Sequence, residues 1–231
     1  MKRFWKDAGV EPFEGAYRVT LDGRPIRTQG GAPQLVPGAA LAEALAAEWS
    51  AQGSEIDPKA FPLRDLADFA IDHVRADRAA AIAGLLRYAE TDTLCYRADP
   101  DEPLYRRQLK LWEPLVTAFE ARHGVRLERV SGIVHRAQPA ATMAKLGEVL
   151  AAHDDFTLAA LATLAPLAAS LTVALEALEP DADPAALFAA ANCEQDWQAE
   201  QWGWDPAAER GRAAKLAAFE VAAHFARLAR G

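Results

Sequence analysis

A helical Glu-x-x-His pair, Glu120 and His123, is the pattern in this chain best suited to metal chemistry. Residues three apart share one face of a helix, so both side chains could hold one ion, as in di-iron helical bundles. That architecture needs a second Glu-x-x-His, which the sequence does not contain. Position near a helix C-terminus, where the helix dipole favours histidine, explains His123 equally well. A helical-bundle metalloenzyme that uses Glu120 and His123 is therefore kept as an alternative function.

A second chemistry-bearing segment runs over residues 192–203 and contains two tryptophans, three carboxylates and three glutamines. On a helix its two indoles lie about 140° apart, so one buried face cannot hold both. Two of its acids are four residues apart and repel each other mildly. Tryptophan is enriched at the centre of protein interfaces, and carboxylates and amides suit the rim. We predict that the segment binds a partner protein through Glu194, Asp196, Trp197, Gln198, Glu200 and Trp202.

A third dense segment, residues 85–97, combines hydrogen-bonding side chains with apolar ones. A catalytic interpretation would use Glu90 or Asp92 as a base, but no nucleophile or metal ligand set accompanies them. The alternative is a buried polar network that fixes how the helix leaves the bundle. Arg87, Tyr88 and Asp92 are accordingly predicted to be structural or interface residues.

Composition and motifs exclude several other classes of function. The chain has no phosphate-binding glycine loop and no Gly-x-Ser-x-Gly nucleophile motif, so no cofactor and no small-molecule substrate are expected. A net charge of −8 and a pI near 5.2 disfavour nucleic acid and anionic membrane surfaces. The two cysteines are far apart and match no metal-ligand spacing, which favours a reducing compartment.

The twenty uncharged residues 156–175 have membrane-spanning length. The run is rich in Ala, Thr and Ser, contains Pro166 and has acidic flanks, so we predict a buried central helix kinked at the proline and no membrane insertion. The N-terminus lacks the apolar run of a secretory signal. We expect a bacterial cytoplasmic protein, or the mature form of a protein of the mitochondrial matrix.

The elements that must position these segments differ between the two parts of the chain. Residues 16–21 and 25–28 alternate as strands around the hairpin signal Asp22-Gly23, residues 4–5 are a further strand candidate, and residues 125–130 could return to the same sheet. A helix over 38–52 places Leu41, Leu45 and Trp49 on one apolar face, so Trp49 is predicted to pack in the core. The following ranges are predicted to be helical: 63–74, 77–90, 103–123, 140–152, 156–178, 184–201 and 206–230.

These elements predict an α+β protein. A small N-terminal β-rich α/β domain, residues 1–75, is followed by a larger all-helical bundle domain, residues 76–231.

Residues 85–97 and 196–203 resemble two signatures of a known family, the assembly chaperones of the F-type ATP synthase that attend the free α subunit of its catalytic head. Further matches run along the chain, at residues 2–6, 21–26, 47–49, 56–58, 132–133 and 138–139. The resemblance implies an ATP-independent chaperone, not an enzyme, that binds newly made α subunit until a β subunit replaces it. It also implies that Trp49 is a sensitive position and that acids of the late segment matter for activity, here Glu194, Asp196 and Glu200.

Overall fold

The computed structural model describes residues 1–132 and 134–231, so Ile133, part of one match above, lies outside the described residues. Within this part of the chain it contains ten α-helices, a three-stranded antiparallel sheet and a two-stranded ladder. The α+β class, with a small N-terminal sheet and a larger helical region, is confirmed.

The chain packs as two compact units. The first comprises Met1–Arg78, Asp154–Ala160 and His224–Gly231, and the second comprises Ala79–His153 and Leu161–Ala223. The division into domains at residues 75 and 76 stays a prediction, because a compact unit need not fold independently.

The sheet of the first unit has the order β1 (Ala8–Phe13), β2 (Ala16–Leu21), β3 (Arg24–Pro25). Asp22 and Gly23 both have positive φ, 48° and 77°, as a type I′ hairpin turn requires, which confirms the predicted hairpin. Phe4 and Trp5 precede β1 and are not a strand, so that prediction was wrong.

Helix α1 (Ala39–Ser50) packs on β1 and β2 and buries Leu41 and Leu45 completely. Helix α2 (Pro62–Phe69) follows and continues as one π-helical turn, Ala70–Val74. Helix α1 covers one face of the sheet, α2 packs against α1, and both helices contribute buried residues to the core of the first unit.

The second unit is helical apart from one short ladder. Its core contains the fully buried rings of Trp112, Phe119, Phe188 and Phe219. Its elements are α3 (Arg78–Glu90, with Arg78 assigned to the first unit), β4 (Tyr96–Arg97), α4 (Pro103–His123), β5 (Val130–Ser131), α5 (Ala140–Ala151), α7 (Leu171–Glu176), α8 (Pro184–Ala191) and α9 (Cys193–Trp202). Helices α6 (Asp155–Ala168) and α10 (Pro206–Arg230) contribute residues to both units.

Two long helices predicted from the sequence are each divided. The predicted helix 156–178 ends at Ala168, because Ala169 adopts a left-handed φ of 48° and the Ser170 hydroxyl accepts a hydrogen bond from the Val173 amide (3.0 Å) to start α7. The predicted helix 184–201 is interrupted at Asn192, where α8 ends and α9 begins. Pro166 lies inside α6, so the break falls after the proline rather than at it.

The predicted strand 125–130 was also wrong in extent and in partner. Of these residues only Val130 is in a strand, and β5 pairs in parallel with β4 instead of joining the N-terminal sheet. Among the helices of the described residues, none combines the length and the apolar character that crossing a membrane requires.

Candidate functional site

Helix α9 ends in a strongly exposed indole. Trp202 is its last residue and is 80% exposed. Gly203 then takes a positive φ of 83°, and the Asp205 carboxylate accepts hydrogen bonds from the amides of Ala207 and Ala208 to start α10. The turn between α9 and α10 is therefore fixed by a glycine and a helix cap while the Trp202 ring faces solvent.

Asp196 braces α9 against α10. Its carboxylate accepts two hydrogen bonds from Arg212, from Nε at 2.6 Å and from Nη2 at 2.5 Å. The two side chains are only 21% and 15% exposed. The same guanidinium lies 5.9 Å from the ring centre of Trp204, in the connecting turn. This bidentate pair holds the two helices in one arrangement.

Glu200 braces α9 against α4 in the same way. Arg107 donates two hydrogen bonds to its carboxylate, at 2.5 and 2.8 Å, and lies 5.8 Å from the ring centre of Trp197. Arg107 holds the pKa of Glu200 below its usual value. The like-charged pair Asp196 and Glu200, costly in an isolated helix, is thus offset by one arginine from each neighbouring helix.

Glu194, the third acid of α9, lies in the first turn of the helix. It accepts a hydrogen bond from Gln108 Nε2 at 2.6 Å, and Gln108 is itself fully buried and accepts from the Ala98 amide. Burial raises the pKa of Glu194, and the Gln108 hydrogen bond opposes that rise. Gln198 is exposed and Trp197 is half-buried.

The six predicted partner-binding residues therefore share one helix, but some of them contact other residues of the same chain and others face solvent. The three acids contact Gln108, Arg107 and Arg212 of the same chain, whereas Trp202 and Gln198 face solvent. No pattern in the sequence indicated these internal partners, because Arg107 lies 93 residues from Glu200. Whether the six residues bind a partner stays a prediction.

Asp92 belongs to a buried polar network, as the structural interpretation of residues 85–97 predicted. Arg87 and Tyr88 are not part of this network. Asp92 is fully buried, and its carboxylate accepts hydrogen bonds from the amides of Leu94 (3.1 Å) and Thr172 (2.9 Å). Burial raises the pKa of Asp92 despite these bonds. The side chains of Arg87 and Tyr88 make no hydrogen bond or ion pair with any described residue. Asp92 thus ties the end of α3 to the start of α7.

Comparison with known proteins places the chain in a family. The sequence pattern of the family described as ATP12 chaperone protein matches residues 2–120. The chain belongs to the ATP12 chaperone family. The matched range ends before α9, so the similarity of the later helices to this family is seen only in the comparison with individual relatives.

The ATP12 relatives extend over nearly the whole chain. The mitochondrial protein atp12 of Schizosaccharomyces pombe is 26% identical over 214 residues, 87% of this chain and 74% of the relative. The crystal structure of Atp12 from Paracoccus denitrificans has a TM-score of 0.94 at 37% identity and covers 99% of this chain and 98% of that chain. A variant of that protein with lysine in place of an aspartate matches with the same score and identity, over 97% of its chain.

The Glu-x-x-His pair of this ATP12-family chain is used for packing. Glu120 accepts hydrogen bonds from Arg129 Nη1 (2.5 Å) and the Leu127 amide (2.7 Å), and the His123 ring packs at a tilt against Phe119 with ring centres 4.6 Å apart. Burial by itself raises the pKa of Glu120, but these hydrogen bonds outweigh it and keep the pKa below the usual value. The carboxylate is thus compensated by a guanidinium, and the described residues contain no cluster of His, Cys, Asp and Glu suited to a metal ion.

The two cysteines are buried and free. Burial raises the pKa of Cys193 to about 12 and raises that of Cys95 as well. Neither thiol is therefore activated as a nucleophile.

Trp49, the sensitive position implied by the resemblance, lies at the edge of the first unit's core. Its ring packs against Trp5 (ring centres 5.0 Å apart) and Phe61 (4.6 Å) and is half-buried. Packing is therefore visible, while a direct role in partner binding stays untested.

Proposed function

We propose that this protein is an ATP-independent assembly chaperone that binds the unassembled α subunit of the F-type ATP synthase head and prevents its aggregation until a β subunit replaces it. Membership of the ATP12 chaperone family supports the chaperone role. The observation that carries the proposal further is Trp202, an 80% exposed indole at the end of a helix held by two bidentate ion pairs. An exposed aromatic on a rigid support is the anchor that a protein interface needs.

A holding chaperone of this kind works by mass action. A subunit that lacks its neighbour exposes an apolar interface, which aggregates unless it is covered. A protein that covers the surface and has no nucleotide motor can release it only to a partner that binds more tightly. The sequence contains no phosphate-binding motif, which agrees with such a mechanism.

In this proposal the acids of α9 both position the helix and contribute to recognition of the client. Asp196 and Glu200 hold α9 through Arg212 and Arg107, so the indole meets the client without first ordering the helix. Glu194, which forms no ion pair with a described residue, and the exposed Gln198 then form a polar rim that favours a basic patch on the client. The ion pairs that fix the position of α9 therefore also fix the position of the groups that would contact the client.

The place of action follows from the client. Bacterial and mitochondrial proteins both occur among the relatives. We propose that this chain works in a bacterial cytoplasm, or in the mitochondrial matrix if it is a mature organellar form.

Capture of isolated α subunit tests the proposal. The chain, tagged, is mixed with α subunit prepared without β, and pull-down and light scattering are recorded before and after β subunit is added. We expect retention of α subunit and suppressed scattering, both followed by transfer of α to β. Scattering that does not change, or a chain that remains in the assembled enzyme, would contradict the chaperone role.

A further inference from the structure

A groove of about 670 Å³ lies in the first unit, far along the chain from α9. Its apolar lining consists of Phe4, Trp5, Leu21, Pro25, Ile26 and Trp49. We call it the N-terminal groove. A concave site of this volume, lined mainly by aromatic and aliphatic side chains, is of the size that accommodates ligands or short peptide segments.

Hydrogen bonds hold the N-terminal segment, which forms one wall of the N-terminal groove, to the rest of the first unit. Arg3 donates to the carbonyl oxygens of Trp5 (3.1 Å) and Gln52 (2.7 Å), which ties the N-terminal segment to the end of α1. Asp22, at the hairpin turn, accepts from the amides of Lys6 (3.0 Å) and Asp7 (2.9 Å). The groove is therefore formed before any occupant arrives, which lowers the entropy lost on binding.

The aromatic side chains of the groove combine one exposed ring with two buried indole N–H groups. Phe4 is 70% exposed although its ring packs edge-on against Trp5. The indole nitrogens of Trp5 and Trp49 are buried, and neither donates a hydrogen bond to any described residue. These nitrogen atoms have almost no accessible surface, so an occupant of the groove would contact the indole rings and not their N–H groups.

The rim of the N-terminal groove is cationic. Arg24 and Arg27 are exposed, and neither forms an ion pair with a carboxylate of the described residues, although Arg27 donates to the Gly31 carbonyl. The oxygens of Asp22, the acid of the lining, are occupied by two amides. These two arginines lie beside the apolar floor and complement a negatively charged occupant.

We propose that the N-terminal groove is a second docking site, which takes an extended acidic polypeptide segment with an aromatic or aliphatic side chain between its carboxylates. The apolar side chain rests on the indole rings, and the carboxylates pair with Arg24 and Arg27. The proposal does not depend on which protein α9 binds, because the groove belongs to the first unit and α9 to the second.

Titration with synthetic peptides, followed by NMR of the indole N–H groups, tests the site. The probe is the capped peptide Asp-Phe-Asp-Leu-Glu, with Asn-Phe-Asn-Leu-Gln and Lys-Phe-Lys-Leu-Lys as comparisons. Replacement of each tryptophan in turn by Phe assigns the indole signals. We expect the acidic peptide to shift the signals of Trp5 and Trp49 and to leave that of Trp202 unchanged. The neutral peptide should bind about tenfold more weakly, and the basic one should cause no shift.

Charge reversal on the rim supplies the matched comparison. The double variant Arg24→Glu and Arg27→Glu should weaken the acidic peptide at least about tenfold. The control Arg106→Glu with Lys110→Glu, an equal change of charge at exposed positions of α4, should bind like the parent protein. Equal affinity for acidic and neutral peptides, stronger binding of the basic one, or no shift of Trp5 and Trp49 at millimolar acidic peptide would overturn the proposal. Capture of α subunit, measured separately on the same variants, shows whether the function proposed above stands or fails independently.

Discussion

Replacement of Trp202 by alanine should uncouple client binding from folding. About 80% of this side chain is exposed, which for tryptophan corresponds to about 200 Å² of surface. At about 25 cal/mol per Å², complete burial in an interface would contribute about 5 kcal/mol. Ordering of the side chain and incomplete burial reduce this to roughly 2–3 kcal/mol, a loss of affinity of about 30- to 150-fold.

The fold should tolerate the same substitution. Trp202 makes little contact with its own chain, and alanine is a good helix former, so the free energy of unfolding should change by less than about 0.5 kcal/mol. Affinity is measured by fluorescence anisotropy of labelled α subunit, and stability by urea unfolding. Trp202→Phe, which retains much of the ring, should lose only about three- to tenfold in affinity.

Leu109→Ala is the matched control, because Leu109 is an exposed apolar residue of α4 outside this site. It should bind like the parent protein. If Trp202→Ala changes affinity by less than about threefold with its fold intact, the indole is not the anchor. If instead it lowers stability by more than about 1 kcal/mol, the ring supports the fold and the reasoning from its exposure is refuted.

Three further experiments test the side chains that support the two units. A double-mutant cycle with Asp196→Ala and Arg212→Ala should give a coupling free energy of about 1–2 kcal/mol in urea unfolding, because the pair is bidentate and largely buried; simple additivity would contradict it. Since Arg107 lowers the pKa of Glu200, their pair should contribute stability above the unfolded glutamate pKa of about 4.3 and lose it as pH falls through the lowered folded value. The stability difference between the parent and Glu200→Gln should therefore shrink on acidification, and a difference independent of pH would refute the assignment. Trp49→Arg should cost the first unit about 3 kcal/mol, by loss of ring packing and insertion of a charge, as measured by near-UV circular dichroism and urea unfolding; a variant as stable as the parent would point to a contact role.

Signals confined to a few neighbouring residues were read correctly from the sequence. The Asp22-Gly23 hairpin needs only two residues with positive φ, and it formed as predicted. Asp183, which precedes Pro184, caps α8 by accepting hydrogen bonds from the Ala185 and Ala186 amides, and Asp205, which precedes Pro206, caps α10 in the same way. These features need no distant partner, so a single sequence specifies them.

Features that depend on distant partners were missed. Strand β1 contains Gly9 and Pro12, which weaken its strand signal, and it forms because β2 pairs with all six of its residues. The helix predicted over 156–178 breaks where Asp92, 80 residues away, binds the Thr172 amide. Serine is a common N-cap residue, and Ser170 directly precedes an apolar run, so this residue was a signal that could have located the break.

The sequence indicated that one indole of residues 192–203 is exposed, because two indoles on different faces of a helix cannot both be buried. It did not indicate that this indole is Trp202 or that a separate helix, α9, begins at Cys193. The pairing of its acids with Arg107 and Arg212 depends on how α4 and α10 pack, which no spacing in the sequence encodes.

The composition of the first unit sets an order on synthesis. Its core includes Phe225, fully buried and 6.3 Å from Phe156 between ring centres, so the unit draws on residues near the end of the chain. The N-terminal sheet is synthesised before this segment, so its packing cannot be completed until residues 224–231 have been made. The nascent chain therefore carries an incompletely packed first unit until that point, and loss of His224–Gly231 would destabilise the N-terminal sheet.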